Sequence, residues 1–403
     1  MPDASLPNMP EKFSLTPEFR LLAACSWVAP PELEQEQAQR IAALCRGGID
    51  WPAIVLLVRR HGVPALAYSM LCRHAGEWLP LPVREALQEL NSTARRQALF
   101  QAAELVRLIK LFDVQGIELI PLKGVFLSHQ LYDDTGMRFS VDLDILVRVE
   151  HIDRAEQILV AEGYYCDCHG LELTERQRQH VRTHIHHFDF VHPKSGLHVE
   201  LHWSFGPWLP EQLTTFLSHT TQQGWQGLSV ECLDDDAVLL LLCDHGARQK
   251  WMSLKWLGDV ARRLSSERRN GWETLLDLAH EVDLQRTLAH SALLVHWVYA
   301  VPLPDELRTL IQNEGMSASV SERALETLLM SAGELATAGK RAHRLRLIWQ
   351  SKRLRPSLSY GHMLKSVIVP MEDFQVLRLP DVLFWLYYPL RPILWFWRNF
   401  IRR

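Results

Sequence analysis

Leu122–Val147 reads LKGVFLSHQLYDDTGMRFSVDLDILV, and the reading of its last third decides the fold. In a strand successive side chains point to opposite faces, so Asp142 and Asp144 share one face while Val141, Leu143 and Ile145 share the other. Two carboxylates side by side repel each other unless a cation or a proton lies between them. A hard divalent ion such as Mg²⁺ takes oxygen ligands and favours one or two carboxylates together with substrate phosphates, a donor set that this strand can offer. The competing reading is an ordinary strand whose acids face water.

The residues ahead of the strand bear on that choice. Ile117–Pro121 is an apolar run after Gly116 and predicts a short buried strand. Lys123-Gly124 follows at its end, where a helix from about Val125 to Tyr132 begins. A helix N-terminus reached through a glycine presents free N–H groups to an anion. Asp133, Asp134, Thr135 and Gly136 then make a turn, and Arg138 and Ser140 lead into the acidic strand.

The pattern LKG, Leu127, Tyr132, Arg138, Ser140 and Asp142-Leu143-Asp144 resembles the DNA polymerase β nucleotidyltransferase superfamily. More narrowly, it is similar to a bacterial family of mostly uncharacterised nucleotidyltransferases, and more distantly to abortive-infection toxin nucleotidyltransferases. The narrower likeness runs from Asn91–Phe100 (NSTARRQALF) through Leu254–Val260 (LKWLGDV). It implies an α+β fold, with a small mixed-sheet nucleotidyltransferase core flanked by N-terminal and C-terminal helical regions. It also implies Mg²⁺ (or Mn²⁺) as cofactor and an NTP as donor substrate, with Lys123, Gly124, Arg138 and Ser140 on the nucleotide side. Val125 departs from the pattern, since superfamily members usually carry a second small residue there. A β-branched side chain at that point is expected to narrow the approach of the backbone to a triphosphate.

The resemblance implies a third carboxylate on a later strand. In Leu197–Trp203 (LHVELHW), Leu197, Val199, Leu201 and Trp203 alternate with His198, Glu200 and His202, which makes Glu200 the candidate. The run from His184 to Val191, followed by HPKSG, reads as the partner strand and turn of a hairpin. In the family's two-metal arrangement Asp142 and Asp144 hold Mg²⁺ on the triphosphate. Glu200 helps bind the second ion and orients or deprotonates the acceptor hydroxyl. His198 and His202 are read either as lining the acceptor pocket or fixing the carboxylate, or as ordinary sheet residues. His180 and His184, one helical turn apart, allow a zinc reading, which no Cys pair or HExxH pattern accompanies.

Downstream, Asp234–His245 predicts an acid-capped apolar helix and Trp251–Leu264 a second one. Lys255 and Asp259 stand one turn apart on it, suited to a surface ion pair. By resemblance, Lys255 instead reaches the nucleotide phosphates, and His245 faces the same cleft.

At 403 residues and 46.5 kDa the chain is long enough for a substantial core with helical additions. Regions 1–110 (helical), 111–232 (α/β core), 233–360 (helical) and 361–403 (aromatic and basic tail) are expected. A net charge of -4 and a pI near 6.6 do not suggest broad nucleic-acid binding, although Lys340–Arg355 is locally basic. Seven scattered cysteines, Cys166 and Cys168 among them, argue against a disulfide framework, and the polar N-terminus lacks the apolar segment of a signal peptide. A cytoplasmic location is expected, peripheral at the inner face of the membrane if the tail binds there. Leu379–Arg403 (LPDVLFWLYYPLRPILWFWRNFIRR) is interrupted by Pro389, Arg391 and Pro392, whereas a span needs about 20 continuous apolar residues. Its aromatic and basic residues, Arg391, Arg398, Arg402 and Arg403 included, suit a membrane interface; the alternative is docking on an apolar groove. Two functions remain open. One is nucleotidyl transfer to a hydroxyl or phosphate acceptor on a small molecule, peptide, saccharide or RNA. The other is a catalytically degenerate binding or scaffold protein of the same fold.

Overall fold

The acidic segment forms the second strand of a mixed sheet in a computed structural model that describes residues 6–167, 173–206, 208–266, 271–314, 318–337, 354–355, 369 and 371–400. Five helices precede the sheet: α1 (Pro17–Ala24), α2 (Pro31–Arg46), α3 (Trp51–His61), α4 (Pro64–His74) and α5 (Leu81–Val114). Each has a proline in its first two positions, where the missing N–H costs nothing and the fixed φ suits a helix. Thr16 and Asp50 cap α1 and α3 by accepting from Phe19 N and Ala53 N.

The α/β region runs β1 (Ile120–Pro121), α6 (Gly124–Tyr132), β2 (Asp142–Leu146), α7 (Ile152–Ala161), β3 (Tyr165–Cys166), α8 (Glu175–His184), β4 (His187–Val191) and β5 (His198–His202). Spatial order is β1-β2-β5-β4-β3, with β2 and β5 parallel and the other pairs antiparallel. This agrees with the expected α+β class, small mixed sheet and helical flanks. The hairpin of β4 and β5 follows the predicted turn at 192–197. Leu143, Ile145, Phe188, Phe190, Val199 and Leu201 are buried on one face of the sheet. Val141, expected on that face, precedes the strand instead and is 60% exposed.

After α9 (Pro210–Leu217) and the hairpin β6 (Thr220–Trp225) and β7 (Leu228–Leu233), the chain is helical again. Helix α10 (Asp235–Arg248) is capped by Asp234, which accepts from Asp236 N and Ala237 N. Every residue from Asp236 to Asp244 is buried, as a helix apolar on all sides requires. Helix α11 (Leu254–Leu264) approaches the segment just after α1 so closely that a Cβ at Gly258 would stand 2.5 Å from the Ser26 carbonyl oxygen. The two helical flanks, separate in sequence, share one core: Leu21, Leu22 and Ile54 pack in the same cluster as Leu239, Leu257 and Val295. Farther on, two helices span Ala318–Leu329 and Ala332–Thr337.

The tail joins the sheet's core instead of standing apart. Helix Met371–Val376, a 3₁₀ turn at Asp381–Leu386 and helix Tyr387–Phe400 place Phe374, Phe384, Tyr387 and Leu394 in the apolar cluster under the strands. The Tyr387 hydroxyl donates to the Leu377 carbonyl and lies 3.2 Å from Gln177 Nε2 on α8. Arg391 and Arg398 both reach Asp373, at 3.1 Å, so two of the four arginines of Leu379–Arg403 are turned toward the protein; Arg402 and Arg403 lie outside the described residues. The outer face exposes Val382, Trp385, Ile393 and Phe396. Among the described residues no helix is long and apolar enough to cross a membrane. His180, proposed above for zinc, instead has Nε2 3.1 Å from the Val369 carbonyl oxygen and its ring against Phe384. Cys168 and most of the basic run 340–355 lie outside the described residues, and Cys25, Cys45, Cys72, Cys232 and Cys243 are free thiols.

Docking of the tail predicts a stability effect. Phe384→Ala leaves a cavity beside Tyr387 and should lower unfolding free energy by about 3 kcal/mol. A urea denaturation midpoint identical to that of the unaltered protein would mean that the tail does not hold this position in solution.

Candidate active site

Strand pairing gathers the polar residues of β2, β4 and β5 on the sheet face opposite the apolar cluster. Parallel register sets Asp144 beside Glu200, and antiparallel register sets Glu200 beside Asp189 and His202 beside His187. That face opens into a cavity of about 260 Å³. Asp142, Asp144, Glu200, Lys123, Arg138, Ser140 and Lys255 all line it. Of the predicted residues Gly124 and His198 do not. The part of Gly124 is conformational: φ of 63° starts α6 directly behind Lys123, and a Cβ there would stand 3.5 Å from the Asp142 carbonyl oxygen. His245 lines the cavity, with its ring 5.3 Å edge-on from that of Trp256.

Val125, expected to crowd a phosphate, is fully buried in the cluster beneath the sheet and leaves the cavity wall untouched. The helical period explains this, because consecutive residues of α6 point about 100° apart. The expected pairing of Lys255 with Asp259 is also replaced. Asp259 Oδ2 accepts from Arg138 Nε at 2.8 Å, both side chains being buried, and Lys255 Nζ donates to the Phe139 carbonyl at 3.1 Å. Arg138 therefore ties the approach to β2 onto α11. Burial opposes its charge, but the Asp259 carboxylate more than compensates and the guanidinium stays protonated.

The carboxylates are not alike. Asp142 receives a hydrogen bond of 3.0 Å from Ser140 Oγ, yet burial and the neighbouring Asp144 and Glu200 push its carboxyl above the usual range. Burial pushes Asp144 the same way, but Lys123 Nζ at 2.6 Å and His202 Nε2 at 3.3 Å prevail and hold it well below. Glu200 is also lowered, because His202 Nε2 at 3.0 Å outweighs its burial. His202 is raised: burial disfavours the imidazolium, and the two carboxylates it touches restore it. Burial and His202 take His187 down to about 4.

These facts bear on a metal. Asp144, Glu200 and His202 each place one donor atom within 4.8 Å of the others, and Asp144 Oδ1 is a buried atom without a properly directed hydrogen bond. A lysine and a histidine at this anionic site do what a cation would do, so the donor set fits a divalent ion. Asp142 belongs to no such cluster among the described residues and stands beside it, held by Ser140. Sequence reasoning missed Asp189, Arg248 and Trp256. Alternation in His187–Val191 (HFDFV) already placed Asp189 on the face of His187; the other two carry no local signal.

The two aspartates should diverge in stability when divalent ions are removed by chelation. Asp142 has a raised pKa in the folded state, so its charge opposes folding at neutral pH, and Asp142→Asn should be neutral or stabilising. Asp144 has a lowered one and favours folding above the ordinary carboxylate range, an effect lost in acid. Asp144→Asn should therefore cost about 3 kcal/mol at pH 7, since it strands Lys123 and His202. Equal melting temperatures for the two variants would contradict this division.

Residues 47–300 match a family described as uncharacterised nucleotidyltransferase. No curated protein and no solved structure matches the chain. The matched stretch holds every residue that lines the cavity, from Leu122 to Trp256, and all five strands of the mixed sheet. As the match covers more than half of its length, the chain belongs to this nucleotidyltransferase family.

Proposed function

We propose that the cavity transfers a nucleoside monophosphate from an NTP to a hydroxyl or phosphate acceptor in a divalent-ion-dependent reaction. The observation that carries this reading is the convergence of Asp142, Asp144 and Glu200 with Lys123 and Lys255 around one cavity. A divalent ion held by the carboxylates supplies charge neutralisation at the triphosphate and at the attacking and leaving oxygens of an in-line displacement. Mg²⁺ and Mn²⁺ both accept such oxygen donors. Lys123, at the start of α6, and Lys255, at the start of α11, bind phosphate oxygens from two sides. Ser140 orients Asp142, and Glu200 orients the acceptor hydroxyl and takes its proton. At about 260 Å³ the cavity is near the lower end of the usual range for ligand pockets, which suits the phosphates and leaves the rest of the nucleotide at the mouth. The reading of a degenerate scaffold drew on Val125, and that residue does not line the cavity.

Release of pyrophosphate from each of the four NTPs, and incorporation of α-phosphate label into candidate acceptors, test the activity. Asp142→Asn should lower turnover by more than about 100-fold, or ~3 kcal/mol of barrier. Glu200→Gln should lower kcat far more than NTP affinity, and an equal loss in both would assign Glu200 to nucleotide binding. Turnover unchanged in Asp142→Asn would overturn the proposal.

Lys255 gives a test by pH. Burial, with the Arg138 charge beside it, lowers its ammonium to about 8, so it loses charge above that pH in the free protein. A bound triphosphate favours the charged form and raises the pKa. NTP binding near pH 8 should therefore take up protons, seen as a calorimetric heat that varies with the ionisation enthalpy of the buffer, and Lys255→Met should abolish the uptake. Buffer-independent heats would place the phosphates elsewhere.

A further inference from the structure

The site contains more nitrogen than an oxygen-only magnesium centre calls for. His202 Nε2 lies 3.0 Å from Glu200 Oε2 and 3.3 Å from Asp144 Oδ1, so one imidazole nitrogen and two carboxylate oxygens converge on a single point. The convergence is built by the sheet. Glu200 and His202 alternate along β5 onto one face, and parallel register brings Asp144 beside Glu200. His202 is 5% exposed, and its side chain is fixed between strands β2 and β4. His187, directly across from His202 on β4, shares one close group with His186 and His202 and another with Asp189 and Glu200. It is the next nitrogen ligand in reach. Asp142, by contrast, enters none of these groups.

We infer that Asp144, Glu200 and His202 form a nitrogen-containing site for a first-row transition ion such as Mn²⁺, Fe²⁺, Co²⁺ or Zn²⁺, with His202 Nε2 as a direct ligand. The physical reason is ligand preference. Mg²⁺ dehydrates reluctantly and seeks oxygen in octahedral geometry, whereas imidazole nitrogen strengthens binding along the series from Mn²⁺ upward. Coordination would replace the ion pairs of His202: Nε2 gives its proton to solvent and its lone pair to the ion, Oδ1 and Oε2 keep a cationic partner, and Lys123 is released from Asp144 toward the phosphates. Asp142, held by Ser140 beside this group, is then left to the nucleotide-bound ion. The role assigned to the ion rests on the reading of the cavity as a nucleotidyl-transfer centre. Binding of the ion does not, and nucleotide-free protein tests it.

Electron spin-echo envelope modulation of the unaltered, nucleotide-free protein loaded with one equivalent of Mn²⁺ should reveal a directly bound imidazole nitrogen. Calorimetric titration should give Mn²⁺ an affinity about tenfold or more above that of Mg²⁺. His202→Gln should remove the nitrogen modulation and most of the Mn²⁺ preference while Mg²⁺ affinity changes little. Absence of nitrogen modulation in the unaltered protein overturns the inference, whether or not the variant folds. Modulation that persists in a folded His202→Gln protein overturns the assignment to His202 and makes His187 the ligand. Nitrogen modulation together with no transfer from any NTP leaves the metal site standing and refutes the proposed activity. Full transfer with Mg²⁺ and no modulation does the reverse.

Discussion

Asp144 is a carboxylate 4% exposed, and an anion so far from water needs partners within ion-pair distance. Much of the chain's arrangement follows from that requirement. Lys123 comes from the turn before α6, where Gly124 takes a left-handed conformation at no steric cost, and its ammonium stands 2.6 Å from Asp144. His202 comes from β5, which must run parallel to β2 to stand in reach. A parallel neighbour in turn needs a long crossover, here residues 147–197, which carry α7, α8, β3 and β4. The tail then covers part of this crossover, with Phe384 and Tyr387 against α8.

A second buried pair, Arg138 with Asp259, joins the sheet to the helical flank. Helix α11 brings Lys255 and Trp256 to the opening, and α10 brings Leu241, His245 and Arg248. Both helices are fixed by the core they share with α1 to α4, including the close approach at Gly258. The N-terminal helices, which contribute no side chain to the cavity wall, thus set where Lys255 stands. The site is assembled from charges that mostly neutralise one another, and that accounts for carboxylates of the same type having opposite shifts within one sheet.

Period-two alternation placed Asp142, Asp144 and Glu200 on their strand faces, because which face a strand residue occupies is a local property; that a third carboxylate was to be sought on a later strand came from the family resemblance. Alternation was also enough for the hairpin of β4 and β5. Helix existence in α10 and α11 was similarly legible from apolar spacing and caps, with ends off by a few residues. Contacts between residues distant in sequence were not. Asp259 looked like a partner for Lys255 four residues before it, and it belongs to Arg138, 121 residues away. Val125 looked like an obstacle at the phosphates, and the helix turns it into the core.

The residue types, their faces and the acidic, basic and apolar character of each segment are determined by the sequence itself, since they depend on periods of two and about 3.6 residues. Tertiary structure alone decided which charges meet. A buried ion pair forms only where packing removes water and register sets two side chains within about 3 Å, and neither condition is written within a single segment. That is why the order DLD could be read as acidic strand from the chain alone. That Asp144 is the buried, paired member and Asp142 the repelled one became decidable only once β5 lay beside β2.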